Sequence, residues 1–497
     1  MNFKKFQNFT RRVQFERLLL PLLLVVLGIF WWPTRNLPYW WDSAGLIMQN
    51  ADQFLQHNLR FGPGLLDTYA HPPFLSYLMA VVWKVFGEKL LVSHIVNLFF
   101  AVLLMVYTYL LAQQITLNKT QGKIVGVLTG ILLLFTPVFL AQIGIIYLEI
   151  PGTAFALMTL YYFLRKNYAM YLVSATLMLY TKEVFVFIIL TVALYIWIVQ
   201  TVDAIYKAKK FPLKSLIGKT LFLFIPIALV SVWFIYHKAA TGWLFTPPGS
   251  NLAAPRFIAA EQIVAVFKFF FIDQWRVAIT IMLLVLLEEI IVKDKFHKYI
   301  LRPELLLLSL VYVAAVSFFS ITDFLQRYII IGLPFFYLIF FYLLTTYIQK
   351  LSLRTQTITV GIILLTVTLL FQSQWNLHRR ITTFYFPPLE DNLEYLDIIA
   401  VGQSVSQYLE KNFPKAKIVT AFPATYMFAQ PYQGYVKKPL ISKSCDRLKT
   451  KQEPDIIVFH AFSPISPTCL YEIELYKFKP YRNFERNGKF MSIYIKK

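Results

Sequence analysis

The chain has 497 residues, of which 58% are hydrophobic and only 15% charged, with a formal net charge of +22. That is too apolar for an ordinary soluble protein. The positive charge might be taken for a nucleic-acid footprint, but most cations sit in short loops between apolar runs, as membrane topology demands, so nucleic acid is not expected as a partner.

Repeated apolar runs of about 20 residues mark a polytopic helical membrane protein. About eleven spans are expected, at 18–34, 90–116, 122–141, 149–165, 168–181, 184–201, 217–237, 276–292, 304–320, 328–348 and 356–373. The basic segment Lys4 to Arg17 precedes the first run, which lacks a small-residue cleavage site and reads as a retained span. The stretch 73–86 is apolar but short and proline-led, and is expected to lie at the membrane interface. Alternate loops carry the cations: Lys119 and Lys123; Arg165 and Lys166; Lys207 to Lys214; Lys293 to Arg302; Lys350 and Arg354. This is the positive-inside pattern, with the N-terminus cytoplasmic. The exception is His378-Arg379-Arg380, expected to anchor to lipid headgroups or touch a lipid phosphate.

An odd number of spans puts the C-terminal part outside. Residues 390–497 are richer in Lys, Asp and Asn. Leu396, Ile399, Val405 and Leu409 recur at helical spacing, and the runs from Lys417, Asp455 and Lys489 read as strands. The expected division is a membrane domain over 1–373 and a small extracytoplasmic α/β domain over 374–497. Both cysteines, Cys445 and Cys469, lie in the latter. They form either a disulfide, which such a compartment permits, or two buried thiols.

Chemistry is sought where ionisable groups meet the outer membrane face, because charge at a span is costly and is a functional candidate by default. The centre is Tyr39-Trp40-Trp41-Asp42-Ser43-Ala44-Gly45, just after the first span. The other candidates are His71-Pro72-Pro73, Glu149 at the head of the fourth span, Lys182-Glu183 after the fifth, Arg256 in a later outside loop, and Arg327-Tyr328. Each has a plainer reading. Asp42 suits a helix N-cap. Glu149 complements a helix dipole. Lys182 and Glu183 make an interfacial ion pair, Arg327 snorkels to headgroups, and His71 bonds within its loop. Scattered histidines give no recognisable metal motif.

In this order, the acidic residue after span one, the His-Pro-Pro element, the second acid at span four, the Lys-Glu pair and the Arg-Tyr before Pro334 resemble the GT-C membrane glycosyltransferases. The likeness is to their protein O-mannosyltransferase and lipid A aminoarabinose transferase relatives, over roughly residues 18–350. The chain departs from them in having Ser43 where many have a second acid, His71 where some have lysine, and Glu149 for aspartate.

The resemblance implies a helical GT-C bundle and transfer of a sugar from a polyprenyl-phosphate donor to a lipid, glycan or protein acceptor. Asp42 and Glu149 would then be catalytic, and His71, Lys182, Glu183, Arg256, Arg327 and Tyr328 would bind substrate. No cofactor is required, and a divalent metal is left open. The rival class is a transporter or lipid flippase, which calls for mid-membrane charges and repeated halves, neither of which the sequence displays.

Overall fold

The computed structural model describes residues 18–61, 71–116, 118–207, 212–245, 260–292, 302–322, 324–349, 351–379, 390–445, 454–460 and 466–496. The candidate Arg256 and the basic leader Lys4 to Arg17 lie outside the described residues, as does Arg380.

Helix α1 (Leu18–Thr34) leads through the aromatic stretch 39–41 into a π-helical turn, Ser43–Met48, and α2 (Gln49–Gln56). The expected interfacial helix is α3 (Phe74–Phe86). Then come α4 (Leu90–Ile115), α5 (Lys119–Phe135), α6 (Pro137–Gly144), α7 (Glu149–Leu164), α8 (Tyr168–Thr181) and α9 (Val186–Tyr206). They are followed by α10 (Leu213–Leu223), α11 (Ile225–Thr241), α12 (Ala260–Phe271), α13 (Arg276–Val292), α14 (Pro303–Ile321), α15 (Leu333–Ile348) and α16 (Leu353–Gln372).

The eleven expected spans are not all straight helices of spanning length. Among the described residues four helices are long and apolar enough to cross a membrane, or up to seven if each bent pair is one span. The expected span 122–141 breaks between α5 and α6 with a bend of 74°. Thr136 takes extended dihedrals and Pro137 opens α6. A residue before proline is sterically pushed out of the helical region, which explains the break. Pro226 opens α11 after a 42° bend from α10, with the junction residue Phe224 still in the helical region. The 276–292 span is the second arm of an α12–α13 pair bent by 79°.

Small residues set how closely the central helices pack. Gly122 and Gly126 on α5 face the backbone of α4, where a Cβ on Gly126 would fall 2.8 Å from the Tyr109 Cα. Glycines four apart lie on one helix face and let two backbones approach, the usual device where lipid offers no hydrophobic drive between helices. Helix α15 is buried along nearly its whole length, which explains why its 16 residues need not match a lipid-facing span.

The C-terminal part contains α17 (Tyr395–Asn412), β1 (Lys417–Thr420), α18 (Ala424–Ala429), β2 (Ile441–Ser444), β3 (Ile456–His460), α19 (Ser466–Leu475), β4 (Lys479–Arg486) and β5 (Lys489–Ile495). The sheet order is β2-β1-β3-β5-β4, parallel across the first three strands and antiparallel beyond. The expected helix and three expected strands are present; β2 and β4 were not foreseen. Cys445, at the end of β2, and Cys469, in α19, form a disulfide.

This part is clamped to the bundle by the aromatic stretch. Tyr39 N–H donates to the Gln433 carbonyl, Gln433 Nε2 to the Ala44 carbonyl and Tyr435 Oη to the Tyr39 carbonyl. The Phe422 ring packs so tightly over Gly45 that a Cβ there would fall 2.2 Å from it.

The packing makes a testable distinction between glycines. Gly126→Ala forces two backbones apart and is expected to cost about 1–3 kcal/mol, as overpacking does. Gly218→Ala, where nothing lies within 4 Å of the new Cβ, is expected to leave stability unchanged or slightly raised. Thermal unfolding in detergent reads both; equal effects would contradict the close α4–α5 approach.

Candidate active site

Three chain segments bring carboxylates to one guanidinium. Arg327 lies in the 3₁₀ turn Gln326–Ile331 that leads into α15, and it is 6% exposed. Its Nη2 donates to Asp42 Oδ2 at 2.5 Å, its Nη1 to Glu390 Oε2 at 2.5 Å and its Nε to Glu149 Oε1 at 3.3 Å. The plane of the guanidinium lies against Tyr147, whose ring centroid is 4.4 Å from Cζ. Arginine suits this place because its rigid planar fork reaches several acceptors at once.

Lys182 follows α8 as its C-cap and is almost fully buried. Its ammonium donates to Glu149 Oε1 at 2.8 Å and stands 3.8 Å from the centre of the Tyr328 ring. Glu149 thus receives both cations, while its Oε2 has no hydrogen-bond partner among the described residues. It also sits in the first turn of α7, where the helix dipole favours a carboxylate. Gly152, one turn on, permits the approach: a Cβ there would fall 2.3 Å from the Phe185 ring, three residues past Lys182.

Asp42 does not cap a helix. It precedes the π-helical turn but makes no capping bond, and its carboxylate goes to Arg327 instead. Trp41 before it has φ of +54°, a conformation that bulky side chains rarely adopt. The Trp41 ring packs edge-on against Phe422, so strain next to Asp42 is held by the C-terminal part.

The sequence-adjacent pair Lys182 and Glu183 does not pair internally. Glu183 turns the other way, to His71 Nδ1 at 2.9 Å. His71 therefore bonds across to another loop. Arg327 is buried against carboxylates and does not snorkel. All seven described candidates are thus placed in two linked clusters: Asp42, Glu149, Lys182, Arg327 and Tyr328 in the hub, and His71 with Glu183 beside it.

Two members of the hub were missed. Glu390 accepts from Arg327 and, through Oε1, from Tyr147 Oη at 2.7 Å. Tyr147 lies two residues before Glu149 in a stretch already singled out. Glu390 sits past the last expected span, in a segment read as the start of the soluble domain, beside the further acids Asp391 and Glu394.

The His378-Arg379 element also differs from expectation. Arg379 is turned inward, donating to Asp391 Oδ1 at 2.8 Å and to Glu394 Oε1 at 2.7 Å. Lys489 Nζ reaches Glu394 Oε2 at 2.8 Å. Burial alone would raise the Glu394 carboxyl, but the Lys489 and Arg379 charges outweigh it and hold it below the usual carboxylate range. Gln274, at the α12–α13 corner, donates to the Asp391 carbonyl and carboxylate. The segment carrying Glu390 is thereby fixed from three sides.

Among the described residues no group of three or more His, Cys, Asp or Glu side chains is arranged to hold a metal.

The fold is mainly helical, with several apolar helices and a small C-terminal sheet, consistent with the architecture implied by the sequence resemblance. Two solved structures share it: ArnT from Cupriavidus metallidurans in the apo state, with a TM-score of 0.60, and the same enzyme bound to undecaprenyl phosphate, with a TM-score of 0.59. Each is 12% identical to this chain, and the match covers 95% of it and 97% of the ArnT chain. ArnT is a lipid A aminoarabinose transferase; at this identity the shared property is the fold. No protein-family model matches the chain, and no curated protein matches it in sequence.

The hub carries three carboxylates against two cations, so Arg327 is the member whose loss hurts most. Arg327→Met leaves buried carboxylates uncompensated and is expected to cost about 3–5 kcal/mol. Adding Glu390→Gln removes one of them and is expected to recover part of the loss in thermal unfolding. A double variant less stable than Arg327→Met would contradict the hub.

Proposed function

We propose that the chain is a membrane glycosyltransferase that moves a sugar from a polyprenyl-phosphate carrier to an extracytoplasmic acceptor, with Asp42 as the base. The observation that carries this reading is the convergence of Asp42 and two buried cations at one end of a bundle with the ArnT fold. The ArnT complex with undecaprenyl phosphate supports a polyprenyl-linked donor.

Accessibility assigns the roles. The Asp42 side chain is 24% exposed, against 2% for Glu149 and 6% for Glu390. Of the three, Asp42 is the carboxylate an acceptor can reach. Arg327 holds Oδ2, while Oδ1 accepts the proton of the attacking hydroxyl.

The acceptor oxygen forms its bond to the anomeric carbon as the bond from that carbon to the phosphate oxygen breaks. The electron pair leaves with the phosphate. Lys182 and Arg327 stabilise the charge that develops there by sharing contacts now made to carboxylates. Tyr328 forms the wall against Lys182, and the His71–Glu183 pair borders the donor side.

Glu149 is assigned a positioning role. It is buried behind the two cations it orients, and a group so placed cannot reach a sugar to form a covalent intermediate. A single displacement with inversion follows. The substrate-binding role of Arg256 remains part of the proposal on the resemblance alone.

The test uses membranes supplied with radiolabelled polyprenyl-phosphate sugars. The wild type is expected to transfer label, and folded Asp42→Asn to transfer it at least about 10²-fold more slowly, the usual contribution of a general base. Undiminished transfer by Asp42→Asn would remove Asp42 from the chemistry. No transfer by wild type from a broad donor panel would overturn the proposal.

A further inference from the structure

A cavity of about 630 Å³ lies at the opposite end of the bundle from the hub, between the start of α5, the end of α15 and the start of α16. Its size falls within the range of small-molecule sites, roughly 300–1,000 Å³. Helix α15 joins the two places. Arg327 precedes it and Thr345 lies near its far end, a separation of roughly 25 Å at the rise of a helix. The cavity therefore belongs to neither the hub nor its donor side.

The lining is amphipathic along the bundle axis. At the end, Gln121, Thr345, Thr346 and Gln356 present amides and hydroxyls; one to two turns deeper, Leu128 and Val360 are apolar. None of the described residues lining it is charged. Gln121 Nε2 donates to Thr345 Oγ1 at 3.0 Å and Thr346 Oγ1 at 3.2 Å, holding the polar rim in place. Lys119 and Arg354, both exposed, and Lys123 flank the rim in the first turns of α5 and α16. The cavity lies where α16 stands off the bundle: only 11% of the apolar window of that helix is buried, the least of the four long spans.

We propose that this cavity binds a phosphodiester lipid whose head carries free hydroxyls. Each part of the lining selects one part of such a molecule. The apolar depth takes the start of the chain. Neutral amides and hydroxyls exchange hydrogen bonds with hydroxyls, and would be left unsatisfied by a head without them. The flanking cations attract the phosphodiester, which keeps its charge at neutral pH. An amine-headed lipid fits poorly, because no carboxylate in the lining receives its ammonium and the cations repel it. Two sources supply this chemistry, a hydroxyl-headed bulk phospholipid and a polyprenyl phosphoryl sugar. The inference does not depend on the transferase reading.

Gly361 makes a clean test. It lines the cavity, and a Cβ built on it meets nothing within 4 Å. Gly361→Leu thus starts a side chain in open space and takes up part of the cavity, and leucine favours a helix over glycine. Gly218→Leu, on α10 and equally open, is the control.

Native mass spectrometry of the full chain, titrated with dioleoyl phosphatidylglycerol or dioleoyl phosphatidylethanolamine, reads the bound lipid. The wild type and Gly218→Leu are expected to hold one phosphatidylglycerol at least tenfold more tightly than phosphatidylethanolamine, and Gly361→Leu to lose that preference. Thr346→Val, which keeps the shape and drops a hydroxyl, is expected to weaken it while the Gln121–Thr345 hydrogen bond still joins α5 to α15. Equal binding of the two phospholipids by wild type, or a preference that survives both Gly361→Leu and Thr346→Val, would overturn the proposal. Competition identifies the source. Polyprenyl phosphoryl hexose that displaces phosphatidylglycerol, where polyprenyl phosphate does not, supports the carrier-linked sugar as occupant; failure of both to displace it supports the bulk phospholipid.

Discussion

The site depends on one buried guanidinium. Arg327 meets carboxylates that lie 285, 178 and 63 residues away in sequence, so no local segment can form the cluster alone. A buried cation without partners is strongly destabilising, and so is a buried carboxylate. The first outside loop, the head of α7, the turn before α15 and the segment after Arg379 must therefore arrive together. Functional geometry and folding specificity are, in this respect, one requirement.

The C-terminal part belongs to the same constraint. Its Phe422 ring packs on Gly45 and Trp41, and its Gln433 and Tyr435 bond to the backbone around Asp42. From the other side Arg379 and Gln274 hold the segment that presents Glu390. The domain thus touches both the base and its missed neighbour. One apolar core runs from the helical bundle into one side of the sheet, with a second, smaller cluster elsewhere in the C-terminal part, which makes a cover that moves freely over the site a poor description of it.

Much of the site was legible because charge in an apolar chain is rare and stands out. Asp42, Glu149, Lys182 and Arg327 each interrupt or border an apolar run, and their order carried the family resemblance. Pairing was not legible. Lys182 and Glu183 are adjacent, yet successive backbone directions send them to Glu149 and His71. Glu390 escaped because it lies among other charged residues, where one more acid carries no signal. The fold was legible in outline through hydrophobic run length and failed where run length is ambiguous. Thr136-Pro137 breaks an unbroken apolar run, and β4, with mostly exposed residues, lacks the alternation that reveals a strand. The glycines at 122, 126 and 130 were a readable packing signal that hydropathy alone does not weigh.

The central claim is a single displacement in which Asp42 is the carboxylate of the Arg327 cluster within reach of the sugar. The stereochemistry of transfer tests it most directly, by comparing the anomeric configuration of the sugar on the polyprenyl-phosphate donor with that on the product by NMR. The account predicts inversion, with no sugar covalently attached to the protein at any stage. Retention of configuration, or a glycosylated Glu149 trapped during turnover, would contradict it.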